Sequence, residues 1–155
     1  MNRFKIIPSF WFSTDGGNIS KVVEYYKNIF GNDLEEGSIM PLGDTPGGNS
    51  EITEVKIFGQ SYYMMSTAKE HHPFNDALSF TIYCEDQKEI DKYWNYFTLE
   101  GEESQCGWCI DKYGFRWQVL PENFGELMSK PDSWGIMMSQ KKIVIEEYLQ
   151  IYLHR

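Results

Sequence analysis

The stretch Leu78-Ser79-Phe80-Thr81-Ile82-Tyr83-Cys84-Glu85-Asp86-Gln87-Lys88-Glu89-Ile90-Asp91-Lys92-Tyr93-Trp94-Asn95-Tyr96-Phe97 decides the fold. Ser79, Thr81 and Tyr83 alternate with Phe80, Ile82 and Cys84. That is the period of a strand with one apolar and one polar face. Asp86, with Glu89 three residues on, has the spacing of a capping box. Beyond it, Ile90, Tyr93, Trp94 and Phe97 form a helical stripe.

Toward the C-terminus, Gly101 stops the helix and Glu102–Gln105 reads as a short strand. Cys106–Ile110 and Phe115–Leu120 form a hairpin around Asp111-Lys112-Tyr113-Gly114. The N-terminal half has the same order. Phe4–Phe12 is a strand and Ser13–Asn18 a loop. A helix follows with Ile19, Val22, Val23, Tyr26, Ile29 and Phe30 on one stripe, Asn18 as its N-cap and Gly31 as its stop. Leu34–Met40 is a further strand, and Pro41–Ser50, with two prolines and three glycines, a loop. Glu51–Phe58 and Ser61–Ser66 then pair around Gly59-Gln60.

Tyr26, Asn28 and Phe30 match Tyr93, Asn95 and Phe97 in spacing. The repeated order predicts an α+β fold of two βαβββ modules within one domain, residues 1–155. Module one covers about residues 1–68 and module two about 77–121, with Thr67–Asp76 linking them. Residues 122–155 form a helical tail, in the segments Phe124–Met128, Trp134–Lys142 and Ile143–Tyr152.

The net charge of −9 repels phosphate backbones and anionic lipid, which disfavours nucleic acid and membranes as partners. No apolar run approaches the ~20 residues of a membrane span. The N-terminus lacks the features of a signal peptide. Three cysteines, Cys84, Cys106 and Cys109, suit reduced thiols in the cytoplasm.

Cys106-Gly107-Trp108-Cys109 has redox or zinc-half-site spacing, but residues three apart on a strand face opposite ways, so two separately packed thiols are expected. His71 and His72 are neighbours whose side chains diverge, and His154 stands near the end; neither arrangement is a metal site. Ser79 has no activating base beside it and reads as a polar cavity wall or a strand hydroxyl rather than a nucleophile. Strand parity puts Arg116 with Gln118. An arginine there either binds a ligand carboxylate or phosphate or sits at the rim, and both readings stand. Asp111 and Gly114 serve the turn. Glu35-Glu36 and Glu102-Glu103 read as solvated faces. Trp11, Trp108, Tyr62, Tyr63, Met64 and Met65 line either a core or an aromatic pocket.

Several strings carry a resemblance: Pro8-Ser9-Phe10-Trp11-Phe12, Leu78-Ser79-Phe80, Cys84-Glu85-Asp86-Gln87, Glu89-Ile90-Asp91-Lys92-Tyr93-Trp94, and above all Gly101 to Pro121. The chain resembles the 3-demethylubiquinone 3-methyltransferase-like family. That family sits in the vicinal oxygen chelate superfamily with glyoxalase I, extradiol dioxygenases, and bleomycin and fosfomycin resistance proteins. The loop Ser13–Asn18 is longer than the family pattern. The resemblance implies sheets curved around a cavity, and a homodimer. It also implies four metal positions, which fall here on Pro8, Tyr63 (or Met64), Ser79 and Gln118. Proline has no ligand atom and neutral oxygens hold divalent metals weakly, so no metal and no other cofactor is expected. The methyltransferase label finds no glycine-rich nucleotide loop, since Gly47-Gly48 lies in the wrong context.

The expected function is therefore metal-independent binding of a small molecule in the cavity, with Tyr63, Ser79, Cys106, Trp108, Arg116 and Gln118 as ligand-binding candidates. The alternative is a metal-independent isomerase, lyase or transferase using Cys106, Tyr63 or a carboxylate.

Overall fold

The computed structural model describes residues 5–70 and 72–150. Phe4, His71, Tyr152 and His154 fall outside the described residues. The fold is α+β, and the chain divides into two compact units, Met1–His72 and Pro73–Arg155.

In the first unit, β1 (Ser9–Ser13) leads through a 3-10 turn at Asp15–Gly17 into α1 (Ser20–Phe30). Then come β2 (Leu34–Glu36), β3 (Met40–Thr45), β4 (Gly48–Ile57) and β5 (Gln60–Thr67). The sheet order is β1-β5-β4-β2, with β3 also paired to β4. β1 runs parallel to β5, with Ser9 opposite Tyr63; the other pairs are antiparallel. Alternation along β1 buries Phe10 and Phe12 and exposes Ser9, Trp11 and Ser13. All six apolar positions of the expected α1 stripe are buried, and the Tyr26 ring lies 6.2 Å from Phe12. Burial of each large apolar side chain contributes about 1.5–3 kcal/mol over exposure.

Strand bounds shift, β1 beginning at Ser9 and the strand expected over Leu34–Met40 breaking after Glu36, and two further expectations fail. Asn18 does not cap α1. The Ile19 N–H donates instead to Glu51 Oε2 at 2.8 Å. Gly17 has φ +74 and approaches so closely that a Cβ there would lie 2.0 Å from the Asn49 carbonyl oxygen. The turn thus sits down on β4, whose carboxylate reaches the positive end of the helix. Residues 41–50 are not a loop but the β3/β4 hairpin. Pro41 is tolerated because β3 pairs on one side only, and a bulge between Pro41 and Gly43 absorbs the irregularity.

The second unit has β6 (Ser79–Cys84), α2 (Gln87–Leu99), β7 (Glu102–Glu103), β8 (Trp108–Ile110) and β9 (Arg116–Pro121). Its order, β6-β9-β8-β7, again sets the first strand parallel to the last. The internal repeat is therefore a repeat of topology. Asp86 accepts from the Glu89 N–H at 2.8 Å, and Glu89 Oε2 accepts from the Glu85 N–H at 2.7 Å. Ile90, Tyr93, Trp94 and Phe97 are buried as expected, and Phe97 stacks on Trp117 at 4.5 Å.

β8 starts later than the sequence suggested. Cys106 (φ +58) and Gly107 (φ +83) form a turn instead of strand. Their N–H groups donate to Gln140 O at 2.8 Å and Lys141 O at 2.7 Å, both in the tail. That tail comprises α3 (Phe124–Met128), α4 (Ser133–Ser139) and α5 (Ile145–Gln150). Leu127, Ile143 and Tyr148 cluster with Leu120 at the end of β9. Gln87 joins the tail to α2, donating to Ile143 O and accepting from the Ile145 N–H. No helix among the described residues is long and apolar enough to cross a membrane.

Candidate functional site

The two faces of the second sheet differ sharply. Ile82, Cys84, Trp117, Val119 and Pro121 are buried on one side. Ser79, Thr81, Tyr83, Arg116 and Gln118 alternate with them onto the other. Register sets Ser79 opposite Arg116 and Thr81 opposite Gln118, while Trp108 stands opposite Gln118 from β8. A row Thr81–Gln118–Trp108 thus crosses three strands, with Ser79 and Arg116 one step along. Four of the six expected residues share this face.

Gln118 Nε2 donates to Ser79 Oγ at 2.9 Å. The bond leaves the amide oxygen of Gln118 and the hydroxyl proton of Ser79 for other partners. Arg116 is held on three bonds: Nε to Asp76 Oδ1 at 2.7 Å, and Nη1 to Phe74 O at 2.9 Å and Gly114 O at 2.7 Å. Asp76 reads in the sequence as part of a polar link, and only the folded register brings it to Arg116.

Cys106 is placed elsewhere. It lies in the turn ahead of β8, its sulfur 3.7 Å from Met138 Sδ in α4. Nothing in the sequence spacing pairs these residues. Cys109 is fully buried, and burial, then the charges of Asp111 and Glu103, push its thiol up to about 12. Burial likewise pushes Cys84 to about 12, with Glu89, Asp86 and Glu122 adding to it. Both Cys106 and Cys109 are free thiols.

Tyr63 belongs to the first unit. It is half-buried in β5, opposite Ser9 of β1 and Glu54 of β4. Of its aromatic and sulfur neighbours in sequence, Met64 is core at 2% exposed. Tyr62 packs 5.8 Å from Phe10, and burial raises its phenol above the ordinary range. Trp11 and Met65 face each other across β1 and β5 on the same side as Tyr63.

The superfamily's metal does not fit these residues. Ser79 and Gln118 are neutral and bonded to each other, Tyr63 has no carboxylate or imidazole character, and proline offers no ligand atom. Among the described residues, no three His, Cys, Asp or Glu side chains gather where they could hold a metal ion.

The family described as 3-demethylubiquinone-9 3-methyltransferase matches residues 4–120. The chain belongs to this family. No curated protein matches it. Among solved structures, it resembles a putative 3-demethylubiquinone-9 3-methyltransferase, the PhnB protein of Bacillus cereus, at a TM-score of 0.61 and 22% identity. That match covers 76% of this chain and 99% of the other. The fosfomycin resistance protein FosX of Listeria monocytogenes matches at a TM-score of 0.55 and 16% identity, over 84% and 100% of the two chains. FosX of Mesorhizobium loti matches at 0.54 and 12%, also over 84% and 100%. These likenesses support the vicinal oxygen chelate fold. The family match ends at residue 120, so the tail lies beyond it.

Proposed function

We propose that this member of the family binds a small organic molecule, without a metal, on the sheet face carrying Ser79, Thr81, Gln118 and Trp108. The observation that carries this reading is the 2.9 Å bond from Gln118 to Ser79. Where metal-using relatives need imidazole or carboxylate, this chain has an amide and a hydroxyl that fix each other's orientation. Each keeps hydrogen-bonding capacity for a ligand. Half-buried Trp108 and the exposed Tyr83 add aromatic surface beside them. Fixed polar groups beside aromatic surface suit small-molecule recognition. The free thiols suit a reducing compartment such as the cytoplasm.

Methyl transfer, which the family's description names, is not part of this reading. Of the two glycines between β1 and α1, Gly17 packs against the Asn49 carbonyl of β4 and is not turned to a ligand.

Titrating ¹⁵N-labelled protein with a fragment library tests the reading. Binders should shift the Trp108 indole N–H and the Gln118 side-chain amide, and Gln118→Leu should abolish the effect on Trp108. A library whose binders shift only residues off this face, or that contains no binder, would count against it.

A further inference from the structure

We propose that Arg116 is an anion subsite of this face, which takes the carboxylate of the ligand, and that Asp76 is its built-in competitor. The inference rests on the small-molecule reading and narrows its ligand to an organic acid.

The Arg116 side chain is 18% exposed, whereas that of Asp76 is 79% exposed. A guanidinium has five N–H donors in a fixed fork, and its Nε/Nη2 edge matches the two oxygens of a carboxylate. In this structure Nε is taken by one oxygen of Asp76. Nη1 is taken by the carbonyls of Phe74 and Gly114. Nη2 makes no hydrogen bond among the described residues. The carboxylate-binding edge is thus half used, by a partner that water reaches freely and holds weakly. The opposite corner, Nη1, is anchored to backbone, so exchanging Asp76 for a ligand oxygen need not move the arginine.

The surroundings match an acid. Ser79 is the direct strand partner of Arg116, and its hydroxyl, already accepting from Gln118, has a proton to donate. An acid held at Arg116 and Ser79 can extend along the face toward Trp108, which stands opposite Gln118. The competing account is a clasp only, in which Arg116 does nothing but tie residues 74–76 to β9.

A matched pair of probes, 2-naphthoate and 2-naphthamide, separates the two by isothermal titration of the full chain. The wild type should favour the acid by about tenfold, the scale of one charge-assisted bond. Asp76→Asn should tighten the acid several-fold and leave the amide unchanged. Glu146→Gln, the same charge change on α5, should alter neither. Arg116→Gln should erase the preference. Arg116→Lys, which keeps the charge but not the fork, should reduce it and covers the case in which the glutamine variant folds poorly. Equal binding of acid and amide by the wild type overturns the anion subsite and leaves the small-molecule face standing. So does a preference that survives in Arg116→Gln, or an acid affinity that Asp76→Asn leaves unchanged or weakens. Absence of binding by both probes at millimolar concentration overturns the subsite and the face together.

Discussion

The indole of Trp117 donates to Asp111 Oδ2 at 2.9 Å, and Asp111 is only 2% exposed. The other oxygen of Asp111 accepts from the N–H groups of Tyr113 at 2.9 Å and Phe115 at 3.0 Å. One carboxylate therefore closes the β8/β9 turn and ties it to the Trp117–Phe97 ring stack. Buried charge is tolerated because three N–H donors compensate it. Asp111→Ala leaves these donors unpaired and should cost about 3 kcal/mol or more. Asp111→Asn, which presents an N–H₂ to one of them, should fall between. Urea denaturation midpoints check this, and an alanine variant as stable as the wild type would refute the staple.

The thiols should separate cleanly by reactivity. Cys84 and Cys109 are fully buried with thiols pushed up to about 12, so almost no thiolate exists at neutral pH. Cys106 is half-buried beside Met138. Ellman's reagent should modify one thiol in the native protein and three after unfolding, with the native label on Cys106 by mass spectrometry. Fast native labelling of Cys109 would contradict the core described here.

Acid should loosen the tail. Lys142 pairs with Asp91 at 2.7 Å, and Lys141 with Glu103 at 3.4 Å. The bond to Lys142 holds the Asp91 carboxyl below its ordinary range, and a bond from the Trp94 indole, then one from Lys141, does so for Glu103. Both folded pKa values are depressed. Their contribution is therefore complete above the unfolded values near 4 and fades as pH falls through the folded ones. Measured against their intrinsic exchange rates, tail amides should lose protection below about pH 4, and Asp91→Asn should shrink that pH dependence. Tail protection that is flat from neutral pH through that range would contradict the prediction.

Much of the fold was legible because local signals agreed with the global one. Asp86 and Glu89 marked the start of α2, and the stripes of α1 and α2 are buried as their spacing required. Two of the failures share a cause: each needed a residue far away in sequence. The α1 terminus is met by Glu51 from β4, and the turn at Cys106 and Gly107 is set by carbonyls of the tail. Pro41 reads as a loop residue until an edge strand accommodates it. In the site, period-two alternation was enough to place Ser79, Arg116 and Gln118 on one face. The partners Asp76 and Met138 were invisible because they come from a link and a tail with no motif.

The most direct test of the central claim, a binding face that uses no metal, is the melting temperature with and without excess Zn²⁺, Ni²⁺, Mn²⁺ or Fe²⁺. A metal at 100 times its Kd would add about 2.7 kcal/mol. At roughly 2–4 °C per kcal/mol, that is a rise of several degrees. No rise is expected with any of the four. A clear rise with one of them, lost on adding chelator, would contradict the claim and restore a metal to this member of the family.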